Sequence, residues 1–230
     1  MKNLVFLTGA GISAESGIKT FRDADGLWEG HDIMEVASFD GFEKNPALVL
    51  DFYNQRRKQL LEVQPNKAHE IIADLQQHYN VTVITQNVDD LHERAGSNKI
   101  IHLHGELLKA RSVANEDLIY DWKADILEGT TNDKNHQLRP HIVWFGEAVP
   151  EIENAVKIIE EADVIVIVGT SLQVYPAAGL IDYADKAQHF FYVDLNPAET
   201  SYFRKKIKVI PKKASEGMME LQELLNDLNV

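Results

Sequence analysis

The chain opens on a short apolar run, Leu4-Val5-Phe6-Leu7, that stops at a glycine-rich turn. Runs of the same kind recur at Val81–Thr85, Ile100–His102, His141–Trp144, Val164–Val168, Phe190–Asp194 and Ile207–Val209. They are short, β-branched and apolar at successive positions, which predicts strands buried on both faces. Between them the period lengthens to that of a helix. Pro46–Leu61 has proline in its first turn and carries Leu48, Phe52, Leu60 and Leu61. Asn66–Tyr79 sets Ala68, Ile71, Ile72 and Leu75 on one face, and Glu151–Ala162, Pro176–Ala187 and Ser215–Leu228 follow the same rule. Buried strands alternating with amphipathic helices predict an α/β fold built on a Rossmann-like parallel sheet.

Two segments break the alternation. Lys19–Asn45 is rich in Gly, Asp and Glu, and Leu107–Arg139 is polar without clear periodicity. Stretches this long inside a compact domain belong to a function or to a small subdomain. The expected division is a sheet domain over 1–18, 62–103 and 141–230, with a second, smaller inserted lobe over 19–61 and 104–140.

Composition narrows the chemistry. Hydrophobic residues make up 44% of 230, ordinary for a globular protein. No apolar run approaches the ~20 residues a membrane-spanning helix needs, and Leu4–Leu7 is too short for the core of a signal peptide. A cytoplasmic protein with no membrane partner is expected, and a monomer. There is no cysteine, which excludes disulfides, thiolate zinc sites and a cysteine nucleophile. The formal net charge of −13 repels phosphate backbones, so no nucleic-acid partner is expected. It tolerates a basic peptide, and it also serves plain solubility.

Thr8-Gly9-Ala10-Gly11-Ile12-Ser13-Ala14 places G-x-G-x-x-A directly after a strand. In that geometry the first glycine permits the turn, the second lets backbone approach a pyrophosphate, and a small third residue lets helix and strand pack. Backbone N–H groups at the following helix then face the anion. The usual dehydrogenase pattern continues with a second strand ending in Asp or Glu about 20 residues on. Phe21–Asp32 is no strand, so a plain NAD(P) oxidoreductase fits worst. A later strand end, with Asp194 or Asn196, is a candidate ribose contact or an ordinary turn.

Read together, the motifs resemble the sirtuins. Gly9–Ile18 followed by Phe21-Arg22 resembles that family's NAD-binding loop, and Thr85-Gln86-Asn87-Val88-Asp89-Asp90-Leu91-His92 its nicotinamide pocket. His104-Gly105 resembles the catalytic histidine motif, and Pro140–Glu147 the peptide-binding segment. Gly169-Thr170-Ser171 and Val193–Asn196 resemble the strand ends that hold ribose and adenine.

The resemblance implies an NAD-dependent protein-lysine deacylase of Rossmann-like fold, with NAD between the sheet domain and the small lobe. The acyl amide oxygen attacks the ribose, nicotinamide leaves, and free lysine and acyl-ADP-ribose result. It makes His104 the base, and a histidine suits because its ordinary pKa of about 6.5 lies near working pH. His102 reads as a packed or hydrogen-bonded strand histidine. Asn87 and Asp89 hold the carboxamide and help expel it, or cap a helix, or do both. The remaining cofactor contacts implied are Gly9, Ala10, Gly11, Ser13, Phe21, Arg22, Gln86, Gly169, Thr170, Ser171 and Asn196. Arg22 offsets pyrophosphate charge or is an ordinary surface arginine. For the acyl-lysine peptide the resemblance implies Val143, Trp144, Phe145, Gly146, Glu147, Val174 and Tyr175.

Tyr53 and Arg56 stand at i and i+3 of a helix. The spacing resembles the Tyr-x-x-Arg clamp of class III sirtuins, which remove succinyl groups, and Ala24 resembles their pocket-enlarging small residue. Without the resemblance, Tyr53 reads as a core aromatic and Arg56 as a solvated charge. One departure stands out. Sirtuins bind zinc through four cysteines in the interval that is Gly105–His141 here, and this interval has none. Ser112 takes the place of the first, no metal is expected, and packing by Leu118, Ile119, Trp122, Ile126 and Leu127 is expected to replace it. Two other readings use the same pocket: an NAD glycohydrolase or ADP-ribosyltransferase, and a non-catalytic NAD/ADP-ribose-sensing module.

Overall fold

The computed structural model describes residues 1–19, 27–28, 30–200 and 205–227. Its strands are β1 (Asn3–Thr8), the short pair β2 (Leu27–Trp28) and β3 (His31–Asp32), β4 (Asn80–Thr85), β5 (Ile100–His102), β6 (Gly105–Ser112), β7 (Ile119–Asp121), β8 (Leu138–Ile142), β9 (Val164–Val168), β10 (His189–Val193) and β11 (Ile207–Ile210). Its helices are α1 (Ile33–Val36), α2 (Phe39–Lys44), α3 (Pro46–Glu62), α4 (Lys67–Asp74), α5 (Leu91–Ala95), α6 (Ile152–Glu160) and α7 (Ala214–Asp227).

One parallel sheet runs in the order β11-β10-β9-β1-β4-β5. Successive strand residues point to opposite faces, and both faces are covered. Leu4, Phe6, Val83, Val164 and Val166 pack against Ile71 and Ile72 of α4 and Met218 and Leu221 of α7. Val5, Leu7, Ile84, Ile165 and Ile167 pack against Ala155 and Ile159 of α6 and the 3-10 segment Ala177–Tyr183. This double burial is why these strands read as continuous apolar runs. From β1 the chain builds outward through β4 and β5, and from β9 it builds the other way through β10 and β11. The connections after β1 and β9 therefore leave toward opposite faces of the sheet, which makes a switch point at the strands' carboxyl ends, where α/β sheets take ligands.

A second core lies beside the sheet. The antiparallel sheet β7-β6-β8 packs Leu107, Ala110, Leu138 and Ile142 against Val49, Leu50, Phe52, Tyr53 and Leu60 of α3, with Trp144 among them. Two expectations are corrected here. The strand anticipated at His141–Trp144 is β8, shifted to Leu138–Ile142 and antiparallel. The segment read as aperiodic holds β6 and β7, because Arg111, 4% exposed, occupies a buried strand position and breaks the apolar pattern.

The small lobe's turns are held by polar side chains more than by the packing anticipated. Ile126 is buried, and Trp122 packs at the edge of the core, but Ile119 and Leu127 are exposed. Ser112 Oγ accepts from the Ala114 and Asn115 N–H groups and lies 3.3 Å from His136 Nδ1. Asn132 Oδ1 accepts from Lys134 and His136 N–H, and Asn54 pairs with both backbone groups of Ile126. Such side-chain-to-backbone bonds fix turns locally.

Candidate active site

The glycine loop is built by two strands at once. Gly9 N–H donates to Val168 O, and Gly11 N–H donates to Gly169 O at 2.8 Å. A Cβ on Gly11 would sit 2.6 Å from Gly169 Cα. Gly169 itself has φ +63°, and a side chain there would run into Ile12 N and Gly11. The second glycine is thus required by the close approach of the loop after β9. The loop continues as two single 3-10 turns, Ala10–Ile12 and Ala14–Ser16, where an α-helix was expected. Asn66, the N-cap of α4, anchors them by donating to Ile12 O and Ser16 Oγ.

Around this loop the predicted residues converge. Asn87 Nδ2 donates to Gly9 O at 3.2 Å and to Ser13 Oγ at 3.1 Å. Ser13 Oγ donates to Asp89 Oδ2 at 2.9 Å, while Asp89 Oδ1 accepts from Leu91 N–H at the start of α5. Asp89 thus meets the helix N-terminus with one oxygen and Ser13 with the other. Burial pushes its carboxyl up to about 6, against the opposing pull of the Ser13 bond. Gln86 Nε2 donates to Thr170 Oγ1 at 3.0 Å, and Thr170 O accepts from Tyr192 OH. Ser171 lies half-buried beside them. Asn196 is exposed, and its N–H donates to Asp194 Oδ1 in a turn after β10.

His104 stands where β5 ends and β6 begins. Leu103 N–H donates to Thr85 O and Val143 N–H to His104 O, so both flanks are pinned. Gly105 has φ +82°, and a Cβ there would strike His141 O, so only glycine lets β6 pair with β8 at this point. His104 Nδ1 donates to Gln86 O at 3.0 Å, which leaves Nε2 as the unprotonated nitrogen of the neutral ring. Burial lowers its pKa, partly offset by the Gln86 bond. Two residues earlier, His102 is hydrogen-bonded to Asn87 O through Nδ1 and to Glu93 through Nε2.

The segment expected to hold peptide lies next to His104. Phe145 N–H donates to Ala37 O, and its ring is exposed. Trp144 is buried, its Nε1 donates to Tyr53 OH at 3.0 Å, and Arg139 stacks on its ring at 3.9 Å. Gly146 takes φ +91°. Glu147 offers no free carboxylate: it accepts from Arg111, Arg139 and Trp144 N–H. These bonds hold the segment in shape. Val174 and Tyr175 are exposed on the loop after β9. Tyr53 is a buried core aromatic, as one reading had it, and the Arg56 guanidinium lies 5.0 Å from the Phe52 ring centre. Phe21, Arg22 and Ala24 lie outside the described residues. The sequence reading missed two partnerships, Glu93 with His102 and Glu147 with the two buried arginines. The available signal was charged residues at strand positions that alternation marks as internal.

The Sir2 family model matches residues 9–176. The chain belongs to the Sir2 family. Over 228 residues this Sir2 chain is 57% identical to a Helicobacter pylori NAD-dependent protein deacylase, covering 99% of both. It is similar to a mutant Sir2 homologue solved in complex with ADP-ribose, at TM-score 0.89 and 38% identity, covering all of this chain and 94% of that one. It is also similar to a Sir2 protein bound to an acetylated peptide, at TM-score 0.81 and 29% identity, covering 97% and 93%. The Sir2 family uses NAD as its co-substrate. The residues here fit it: a glycine turn at a switch point of the sheet, amide and carboxyl groups for a carboxamide, and an imidazole bonded through Nδ1 that keeps Nε2 as a base. They do not fit the family's zinc, since no cysteine is present.

Proposed function

We propose that this Sir2 chain is an NAD-dependent protein-lysine deacylase acting on acetyl-lysine and on acidic acyl-lysines such as succinyl-lysine. The observation that carries the reading is His104, tied through Nδ1 to Gln86 O, one residue from the Asn87–Ser13–Asp89 network, with Nε2 left as the basic nitrogen. NAD supplies an electrophilic ribose carbon and the hydroxyl that finally accepts the acyl group. Gly9, Ala10 and Gly11 would hold its phosphates, with Phe21 and Arg22 assigned there by the motif alone, Gln86 its ribose, and Gly169, Thr170, Ser171 and Asn196 its adenosine end. Asn87 and Asp89 hold the carboxamide of the leaving nicotinamide. With a carboxyl near 6, Asp89 exchanges a proton easily at neutral pH. With NAD bound, nicotinamide replaced at the ribose carbon by the acyl amide oxygen, and a water consumed, His104 Nε2 would accept the proton of the ribose hydroxyl that takes up the acyl group, and the lysine would leave as the free amine. The stretch Val143, Trp144, Phe145 and Gly146 would border the peptide, with Val174 and Tyr175 as its further contacts.

Tyr53 and Arg56 form the end of the acyl pocket, a phenol and a guanidinium suited to a carboxylate. The two residues stand at i and i+3 of α3. The enzyme works as a cytoplasmic monomer. The −13 charge favours basic protein substrates over nucleic acid, and no helix among the described residues is long and apolar enough to cross a membrane. The test is a panel of acetyl-, succinyl- and glutaryl-lysine peptides with NAD, comparing wild type, His104→Ala and Arg56→Met. His104→Ala loses nearly all activity on every peptide. Arg56→Met loses about 30-fold or more on acidic acyl groups, for a truncated charge pair of about 2 kcal/mol or above. Equal loss on acetyl and succinyl peptides defeats the clamp. Nicotinamide release at full rate without peptide replaces deacylation with NAD hydrolysis.

A further inference from the structure

Just behind the pocket wall, one histidine does something no neutral imidazole can do. His102 Nδ1 lies 3.2 Å from Asn87 O and Nε2 lies 2.6 Å from Glu93 Oε1. A backbone carbonyl is only an acceptor, and so is a carboxylate. Both bonds form together only if both ring nitrogens carry hydrogen. We propose that His102 is an imidazolium and a positioning residue, tying Glu93 of α5 to the Asn87 carbonyl and thereby holding the Asn87–Asp89 loop for carboxamide binding and release. The inference deepens the proposed function and rests on it.

The surroundings support a cation at this place. Two carboxylates lie beside the ring, Glu93 and Glu106 of β6, with ligand atoms within 4.8 Å of one another and of the imidazole, and the charge of His102 in turn favours the ionised form of Asp89. Burial alone favours the neutral ring, but the Glu93 bond and the charges of Glu93 and Glu106 outweigh it and raise the His102 pKa. The other groups facing it are histidines, His92 of α5 and His141 of β8, both held below the ordinary value by burial. Lys109 neutralises part of Glu106 at 2.7 Å. Because the folded pKa is raised, the contribution is complete below about 6.5. It is lost as pH rises through the raised value, when one of the two bonds must break.

The experiment compares wild type, Glu93→Gln and His102→Gln in three readouts. These are long-range 1H–15N NMR of the imidazoles, nicotinamide binding in the presence of ADP-ribose, and NAD–nicotinamide exchange with an acetyl-lysine peptide across pH. In wild type both His102 nitrogens are protonated at neutral pH, and exchange declines on the alkaline side as the ring titrates. Glu93→Gln moves the NMR titration and the alkaline limb together, down by about one unit. His102→Gln keeps an amide donor that cannot titrate, so the limb disappears and nicotinamide binds about tenfold more weakly, with the peptide KM unchanged. A singly protonated His102 at neutral pH overturns the inference, as does a limb that stays put in both variants. The donor atoms of Glu93, His102 and Glu106 lie within 4.8 Å of one another. Exchange abolished by chelator and restored by a divalent cation would therefore make His102 a ligand and overturn the inference too. If wild type deacylates no peptide, the functional reading fails on that arm, while NMR and nicotinamide binding still decide the role of His102.

Discussion

Replacing Glu147 by alanine tests how the peptide-binding segment is held. Its carboxylate accepts from Arg111 Nη2 at 3.0 Å, from Arg139 Nη2 at 2.8 Å and from Trp144 N–H at 2.8 Å. The arginine side chains are 5% and 4% exposed and Glu147 17%, so the cluster is internal. Removing one member of a buried pair leaves charge uncompensated and costs about 3–5 kcal/mol. Two contacts soften the loss. Arg111 also reaches the exposed Glu116 at 3.4 Å, and both arginines donate to Ile142 O. The expected cost of Glu147→Ala is therefore near the lower end, about 3 kcal/mol. Urea unfolding at constant m-value reads it directly. The control is Glu161→Ala, which breaks the Lys186 pair at 61% and 64% exposure and should cost under about 1 kcal/mol. A Glu147→Ala loss no larger than the control refutes the structural role and returns the carboxylate to the substrate.

Three further outcomes follow from the geometry. Gly11→Ala drives a methyl to 2.6 Å from Gly169 Cα, so urea unfolding should show about 1–3 kcal/mol lost to overpacking and the KM for NAD should rise; wild-type stability and KM would contradict the packing. Buried His69, lowered to about 4, stays neutral in the fold, so it contributes about 3 kcal/mol above 6.5 that is lost as pH falls through 4. Asp89, raised to about 6, acts with the opposite sign; in Asp89→Asn the acid loss of stability becomes steeper than in wild type, and an unchanged or shallower slope refutes the assignment. Metal analysis of the purified protein should find no stoichiometric zinc, because the small lobe is fastened by Ser112, Asn132 and Asn54; one tightly held zinc would contradict that.

What the sequence made legible is what depends on near neighbours along the chain. The apolar strands, the glycine turn after β1 and the proline-led α3 could be read because burial on both faces and helix initiation leave local patterns. The sirtuin-like motifs lie together at the sheet's carboxyl edge, with Gln86, Thr170, Asn87, Ser13, Asp89 and His104 in mutual contact or one residue apart. What stayed hidden depends on distant partners. Arg111 sits inside β6 only because Glu147, 36 residues later, receives it. Gly11 needs to be glycine because of Gly169, which no local pattern shows. His102 gains its charge from Glu93 on a different element. The loop after β1 was read as leading into a helix, and its two single turns are instead held by Asn66 from outside.

The claim on which all of this turns is that His104 and the glycine loop serve one ribose. A crystal structure of the chain with NAD and an acyl-lysine peptide decides it. The account predicts His104 Nε2 within about 3.5 Å of a hydroxyl on the nicotinamide ribose, with the carboxamide beside Asn87 and Asp89. Dinucleotide bound elsewhere, or an imidazole turned away from the sugar, would contradict it.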